Sequence, residues 1–569
     1  MADPPRWGAH PSGDGLWTFA LWAPDAPALR LHLDGARHEM DRGPDGWHRT
    51  RVAAEPDQTY AFERDGALFP DPAARRQAGG VHDRSVLVDM AALRPEPWAG
   101  RAWSDAALME VHVGTFTREG TLRAAAERLP DLARLGVTGL SLMPLGQFAG
   151  RRGWGYDGVL PFALHPAYGR PEDLAVFIDA CHAEGLMVLI DVVYNHFGPE
   201  GNALTALCPD FFDPARHTPW GAAIAHERPP VAEFFLQNAE MWLRDYAADG
   251  LRLDAVHQIG DEGDTAFVEA LARHVGGLGL DRELHIVAED ERNLVSYVDA
   301  GGVLRAQWND DWHHAVHVLL TGESQSYYAP FAVDPFGALV TALRDGQVAQ
   351  GRPRPPEGRR GEPSGHLSPL RFVNANQTHD QIGNRALGER LIALAEPGSV
   401  RVAQAMLLLA PFVPMLFMGE EEGARAPFRF FTDFEGELAE AVRRGRRAEF
   451  PEFAGQAEEI PDPNAPETFA ASRPYARPAA DAPAWRALTG RLLALRRDEV
   501  APLLRGGWRE SAAERLSERT LRAAWSFADG RLEMAASFEG PAPALDEDAR
   551  EIFALDEGGA GLRVGVARR

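Results

Sequence analysis

GLRLDAVH (residues 250–257) is the stretch that decides the fold. Four strand-forming positions run straight into an acid, Asp254, and Arg252 lies two residues earlier, so both side chains point to the same face of a strand. An apolar strand that ends on a carboxylate is what a parallel barrel presents at its mouth. The neighbours repeat the pattern: LMVLIDVV (186–193) carries Asp191 and HIVAED (285–290) carries Glu289. Further out lie LMEVHVG (108–114), TGLSLMP (138–144), VLRAQWND (303–310), RFVNAN (371–376) and PMLFMGE (414–420), with helix-like segments such as TLRAAAERLPDLARLG (121–136) between strands. Eight strand–helix units predict an α/β fold, a (β/α)8 TIM barrel with insertions. A doubly wound open sheet is the alternative on periodicity alone.

The flanks read differently. LWTFALWAP (16–24), LRLHLDG (29–35) and TYAFERDG (59–66) are short alternating strands between Gly, Pro and Asp turns, which predicts an N-terminal β-sandwich. LRAAWSFAD (521–529) and LEMAASFEG (532–540) predict a small C-terminal β-domain. The expected division is 1–97, 98–484 and 485–569. Two Pro-rich tracts, 352–369 and 451–483, are expected to be surface loops or linkers rather than core.

Composition narrows the function. The chain has 569 residues and a net charge of -25, which disfavours nucleic acid or anionic lipid as partner, since both reward positive patches. All basic residues are arginine, so a lysine Schiff base and a Walker-type phosphate loop are excluded. No stretch approaches the ~20 apolar residues of a membrane span. The start, MADPPRWGAH, lacks the basic-then-apolar order of a signal peptide, and the two cysteines, Cys181 and Cys208, leave no disulfide framework. A cytoplasmic protein is expected. No dinucleotide fingerprint or Cys-rich zinc site occurs, so no cofactor is called for. His313 and His317 have the i, i+4 spacing of zinc-protease helices, but His314 stands where that motif needs a glutamate, so no metal is expected.

The acids suit one reaction. Glycosidic cleavage passes through an oxocarbenium-like sugar, which needs one carboxyl to protonate the leaving oxygen and a carboxylate facing the anomeric carbon. A third acid can hold hydroxyls and favour the distorted ring. Asp254, Glu289 and Asp380, the last in NQTHDQIGN (376–384), are too far apart in sequence to share a helix face, and each follows its own strand. Arg252 would keep Asp254 ionised, and Glu289 must carry a proton near neutral pH. His196 in DVVYNHFGPEGN and His379 beside Asp380 can contact sugar hydroxyls. Among the aromatics, Tyr156 beside Asp157 in GWGYDG is the best placed to cover a pyranose face, with Trp154, Trp220, Trp308 and Trp312 also available.

DVVYNH, GLRLDAVH, AED and THDQ resemble the four short sequence regions of the α-amylase family of glycoside hydrolases (family 13). Within it the chain is most similar to the malto-oligosyltrehalose trehalohydrolase group, through PDPAARRQAGGVHDRS, MEVHVGTFTREGT, GWGYDGVLPFALHPAYG, DACHAEGLMVLIDVVYNHFGPEGN, HTPWG, AQWNDDWHHAVHVLLTGE, GNRALGER and PMLFMGEEEGARAPFRFFTDF. The resemblance implies that Asp254 is the nucleophile, Glu289 the general acid and base, and Asp380 the transition-state stabiliser. It places Tyr156, Asp157, His196, Arg252, His257 and His379 on substrate. It implies a retaining reaction on malto-oligosyltrehalose, trehalose as product, no cofactor, and a malto-oligosyltrehalose synthase as pathway partner. An Asp254–Glu289 carboxyl separation of about 5–5.5 Å is expected. Two positions depart from the pattern: Thr378 replaces a usual asparagine, and Asp290 replaces a usual serine. A branching or debranching enzyme of the same family and a non-catalytic glycan binder on the same fold are the rival readings.

Overall fold

The computed structural model describes residues 6–568 apart from residue 94 and residues 260–263, 300–301, 355–356 and 452–459. At its centre eight parallel strands pair in sequence order: β1 (Leu108–Val111), β2 (Gly139–Leu142), β3 (Met187–Val192), β4 (Gly250–Leu253), β5 (His285–Ala288), β6 (Ala306–Trp308), β7 (Phe372–Ala375) and β8 (Val413–Phe417). β1 pairs with β8, so the sheet closes and the open-sheet alternative is excluded. Every residue of these strands is buried, as expected where helices cover one face and the barrel core the other.

The barrel interior explains where the polar residues go. Leu108, Leu189, Val287, Ala306, Val373 and Met415 belong to an apolar plug filling the lower barrel. Strand side chains alternate, so the next inward residue toward the C-terminal mouth lies two positions on. That step leads from Leu108 to Glu110, from Leu189 to Asp191, from Val287 to Glu289 and from Ala306 to Trp308. Arg252 is the register partner of both Asp191 and Val287 and so joins the same face.

Around and above the barrel lie α1 (Pro171–Ala183), α2 (Pro229–Glu240), α3 (Asp310–Thr321), α4 (Pro335–Asp345), α5 (His379–Gly383), α6 (Pro397–Leu409) and α7 (Ala482–Leu495). α1 is typical of them. Pro171 suits a first helical turn, Asp173 Oδ2 accepts the Arg170 N–H at 2.9 Å, and Leu174, Phe177, Ile178 and Cys181 form the buried stripe. The expected helix over 121–136 is broken into Leu122–Ala126 and Leu129–Leu135. Pro130, which cannot donate a backbone hydrogen bond, stands at the start of the second piece.

Residues 8–86 form two antiparallel sheets, and Trp7, Phe19, Leu21, Trp47 and Phe62 are buried in the core to which they contribute. At the other terminus a five-stranded antiparallel sheet runs from Trp508 to Arg568. It seats on α4, where Trp525 Nε1 donates to Leu343 O at 3.1 Å. Among the described residues no helix is long and apolar enough to cross a membrane.

The Pro-rich tracts differ from expectation. Ser364 is fully buried, and Arg360 reaches Asp311 Oδ1 at 3.0 Å and Glu291 O at 2.6 Å, so the 352–369 tract is bound onto the barrel mouth. In the second tract Thr468 and Ser472 are buried, and Tyr475 donates to Glu421 Oε1 at 2.8 Å. Composition marks both as irregular backbone, but polar side chains at a few positions anchor them.

Candidate active site

Asp254 directly follows β4 and is 8% exposed. Arg252 is fully buried beneath it and serves three acids at once. Its Nη1 lies 2.8 Å from Asp254 Oδ1 and 2.9 Å from Asp191 Oδ2, and its Nη2 lies 2.6 Å from Glu289 Oε2. The guanidinium also covers the Trp308 ring at 4.3 Å. Adjacent nitrogens of one planar fork thus hold Asp254 and Glu289 side by side.

Backbone geometry fixes Glu289 further. Ala255, directly after Asp254, has a left-handed backbone with φ of 39°, which is costly for a residue with a Cβ. In that conformation its N–H donates to Glu289 Oε2 at 3.0 Å, and the next N–H, of Val256, donates to Glu289 O at 2.9 Å. The local strain is therefore tied to the position of the carboxyl.

Asp380 lies in the first turn of α5. Thr378 caps that helix: its Oγ1 accepts the Asp380 N–H at 3.3 Å, and its own N–H donates to Gln381 Oε1 at 2.8 Å. Asparagine, usual here in the family, is an equally good cap. His379 is held by Glu110, which accepts its backbone N–H at 3.0 Å and its Nδ1 at 2.5 Å, while its Nε2 faces Asp380 Oδ1 at 3.3 Å. Tyr156 stacks on His379 with ring centres 5.0 Å apart and donates to Asp191 Oδ2 at 2.7 Å.

The protonation pattern follows from these contacts. Burial opposes a charge on His379, yet Asp380 and Glu110 on either side raise its pKa well above the ordinary value, so it is an imidazolium. Against burial, the charge and hydrogen bond of His379 hold Asp380 down at about 2. Burial pushes Asp191 up to about 6 despite Arg252. Burial also pushes Asp254 well above the carboxylate range; Glu289, Asp191 and Asp380 add to this and Arg252 opposes it. Arg252 pulls Asp254 toward its ionised form, as the spacing predicts, but burial opposes it more strongly. Asp191 and Asp254, which share Arg252, titrate together rather than singly.

The remaining predicted residues are more loosely joined. His196 Nε2 is 3.0 Å from Tyr156 O, its ring stacks on exposed Trp220 at 4.1 Å, and burial lowers its pKa to about 4. His257 Nε2 is 3.5 Å from Glu291 Oε1. Burial raises Asp157 to about 6, and among the described residues no hydrogen bond or ion pair joins it to the acids. Asp290 turns away from Glu289 and is neutralised by Arg292, with Nε to Oδ1 at 2.8 Å and Nη2 to Oδ2 at 3.0 Å. His313 bonds Gln381 Nε2 at 2.9 Å and His317 pairs with Glu323 at 2.7 Å, so the two histidines serve different partners.

Glu289 and Asp380 line a cavity of about 540 Å³ together with Trp308, Asp310, Tyr327 and Arg360. Glu110 and Asp310 were not anticipated from sequence. The signal for Glu110 was a lone charge inside an apolar strand; for Asp310 it was a pair of acids following β6.

The α-amylase catalytic-domain family model matches residues 69–207. A malto-oligosyltrehalose trehalohydrolase of Deinococcus radiodurans is 42% identical over 475 residues, covering 82% of this chain and 78% of the relative. The chain belongs to the malto-oligosyltrehalose trehalohydrolase family. The enzyme of that name from Saccharolobus solfataricus is 38% identical, covering 77% of this chain and 79% of its own. A crystal structure from Salmonella typhimurium, solved under an α-amylase designation, superposes with a TM-score of 0.93 at 42% identity over 99% of both chains. A pullulanase from Anoxybacillus shares the fold at 19% identity, with a TM-score of 0.71 over all of this chain and 88% of its own. The likeness to the Salmonella structure extends over barrel and flanking sheets alike.

Proposed function

We propose that this protein hydrolyses the α-1,4-glucosidic bond next to the terminal trehalose of malto-oligosyltrehalose, releasing trehalose and a maltodextrin. The observation that carries the reading is the convergence of Asp254, Glu289 and Asp380 at the barrel mouth in a chain 42% identical to named trehalohydrolases.

The chemistry assigned to each group follows from its surroundings. Asp254 attacks the anomeric carbon while Glu289 protonates the leaving O4 of the trehalose unit. This forms a covalent glycosyl ester on Asp254. Water then attacks the same carbon, giving its proton to Glu289 and freeing Asp254, so configuration is retained. The shared Arg252 fork supports the close spacing that retention requires, rather than the ~6.5–9.5 Å that leaves room for water. Asp380, ionised beside the His379 imidazolium, binds hydroxyls and stabilises the oxocarbenium charge. Tyr156, His196, Arg252, His257 and His379 shape and line the sugar site, and Asp157 adjoins it.

The substrate has a trehalose end, so an enzyme that isomerises the reducing-end maltose of a maltodextrin must supply it, as a malto-oligosyltrehalose synthase would. Cytoplasmic residence fits two buried free cysteines. The test is to incubate the protein with maltotetraosyltrehalose and, separately, maltohexaose. Rapid trehalose release from the first, with little action on the second and the α-anomer appearing first, is expected. Equal hydrolysis of both substrates would sink the reading.

A further inference from the structure

Asp310 and Asp311 are consecutive acids at the start of α3, and the fold uses them differently. Asp311 is fully buried and saturated: its Oδ2 accepts the N–H groups of Val348 and Ala349, each at 2.7 Å, and Asn293 Nδ2 at 2.8 Å, while Arg360 Nη2 meets Oδ1 at 3.0 Å. It holds the polar tract over the barrel mouth. Asp310 has none of this. Among the described residues no hydrogen bond reaches its carboxyl, and His313 Nε2, at 3.9 Å, is already engaged with Gln381. The carboxyl opens instead into the cavity that Glu289 and Asp380 line.

We propose that Asp310 is a specificity-determining residue whose carboxyl hydrogen-bonds a hydroxyl of the sugar unit released on cleavage. The assignment rests on the reaction proposed above. The side of the bond follows from position. Glu289, Asp380, Tyr327 and Arg360 line the cavity while Asp254 and Asp191 do not, so it opens from the scissile bond on the side of the proton donor rather than of the nucleophile, where the leaving unit sits. A carboxyl without a protein partner keeps its full hydrogen-bonding capacity for a hydroxyl-rich ligand that displaces water from the cavity. Glu289, Glu291, Asp380, Asp311, Arg360, His313, His314 and Tyr327 are charged or titratable groups around it. Burial, Glu289 and Asp380 together favour its protonated form, so it can donate as well as accept. A purely structural acid in the first turn of α3 would favour the helix but would not distinguish one substrate from another.

The test compares kcat/KM on maltotetraosyltrehalose with that on 4-nitrophenyl α-maltotetraoside, whose leaving group carries no sugar hydroxyls. For Asp310→Ala the ratio of the two is expected to fall about ten- to a hundredfold, the worth of one hydrogen bond to an ionisable group. Asp310→Asn, which keeps the shape and one acceptor, should show a smaller fall in the same direction, and it carries the comparison if the alanine variant does not fold. An unchanged ratio, whether from equal losses on both substrates or from none, overturns the assignment of Asp310 while the reaction stands. A wild-type protein that frees no trehalose overturns the reaction instead, and with it the identity of the leaving unit.

Discussion

At the scale of single residues, the site is a problem in charge sharing. Arg252 and the His379 imidazolium face Asp191, Asp254, Glu289 and Asp380, so carboxyls outnumber cations. If Glu289 supplies the proton, Glu289→Gln should lower kcat on malto-oligosyltrehalose by about 10²–10⁴-fold, the usual worth of general acid catalysis. The loss should be far smaller on a dinitrophenyl glycoside, whose leaving group needs no proton; equal losses on both would remove Glu289 from that role. Arg252 allows a second prediction, in stability. Asp191 is raised to about 6 from an unfolded value of 3.8, so the native state binds the extra proton. Its contribution is therefore present below pH ~4 and lost as pH rises through about 6. Arg252→Met removes the opposing cation and raises the acids further, which steepens that loss. Urea unfolding should show the variant weaker by about 3–5 kcal/mol at pH 8, as for other broken buried ion pairs, and by clearly less at pH 5. A deficit independent of pH would count against the shared cluster.

At the scale of elements, strand ends and caps aim the acids. α5 is only five residues long, too short to hold itself together, so its cap matters more than its propensity. Thr378→Asn keeps a capping oxygen and should retain near-wild-type activity. Thr378→Val keeps the shape but loses the cap, at a cost of about 1 kcal/mol, and should lower kcat/KM by displacing His379 and Asp380. Steady-state kinetics with a thermal melt separates the two effects, and a fully active valine variant would show that the cap does not aim the acid. Much of this scale was legible in the sequence. All eight barrel strands were readable because parallel strands buried on both faces are nearly uninterrupted apolar runs that end in chemistry. What escaped was polar anchoring across long sequence distances. Nothing local says that Glu110 will hold His379, far along the chain, or that Arg360 in a Pro-rich tract will fold over the mouth. Asp310 is hidden for another reason: in QWNDDWHHAVH it stands among aromatics and histidines, whose stronger signals are sugar stacking and metal ligation.

At the scale of the whole molecule, the flanking sheets join one continuous apolar core with the barrel. Trp7 shows how the N-terminal sandwich is attached. It is fully buried, and its ring meets Trp47 of the sandwich at 5.1 Å and Phe234 of α2 at 5.2 Å. Its backbone N–H donates to Gln237 Oε1 at 3.0 Å, and its indole donates to Pro230 O at 2.8 Å. One residue therefore ties the sandwich to a helix that lies in the chain between β3 and β4, the strands bearing Asp191 and Arg252. Trp7→Ala should cost about 3–5 kcal/mol, the usual range for emptying a large aromatic site. Because the core is shared, that cost should lower the midpoint of barrel unfolding as well as that of the sandwich. Differential scanning calorimetry with activity loss followed on the same samples tests this. A single transition shifted together with inactivation is expected. An early, separate sandwich transition that leaves trehalose release intact would show that the sandwich is only appended to the barrel and does not support the site.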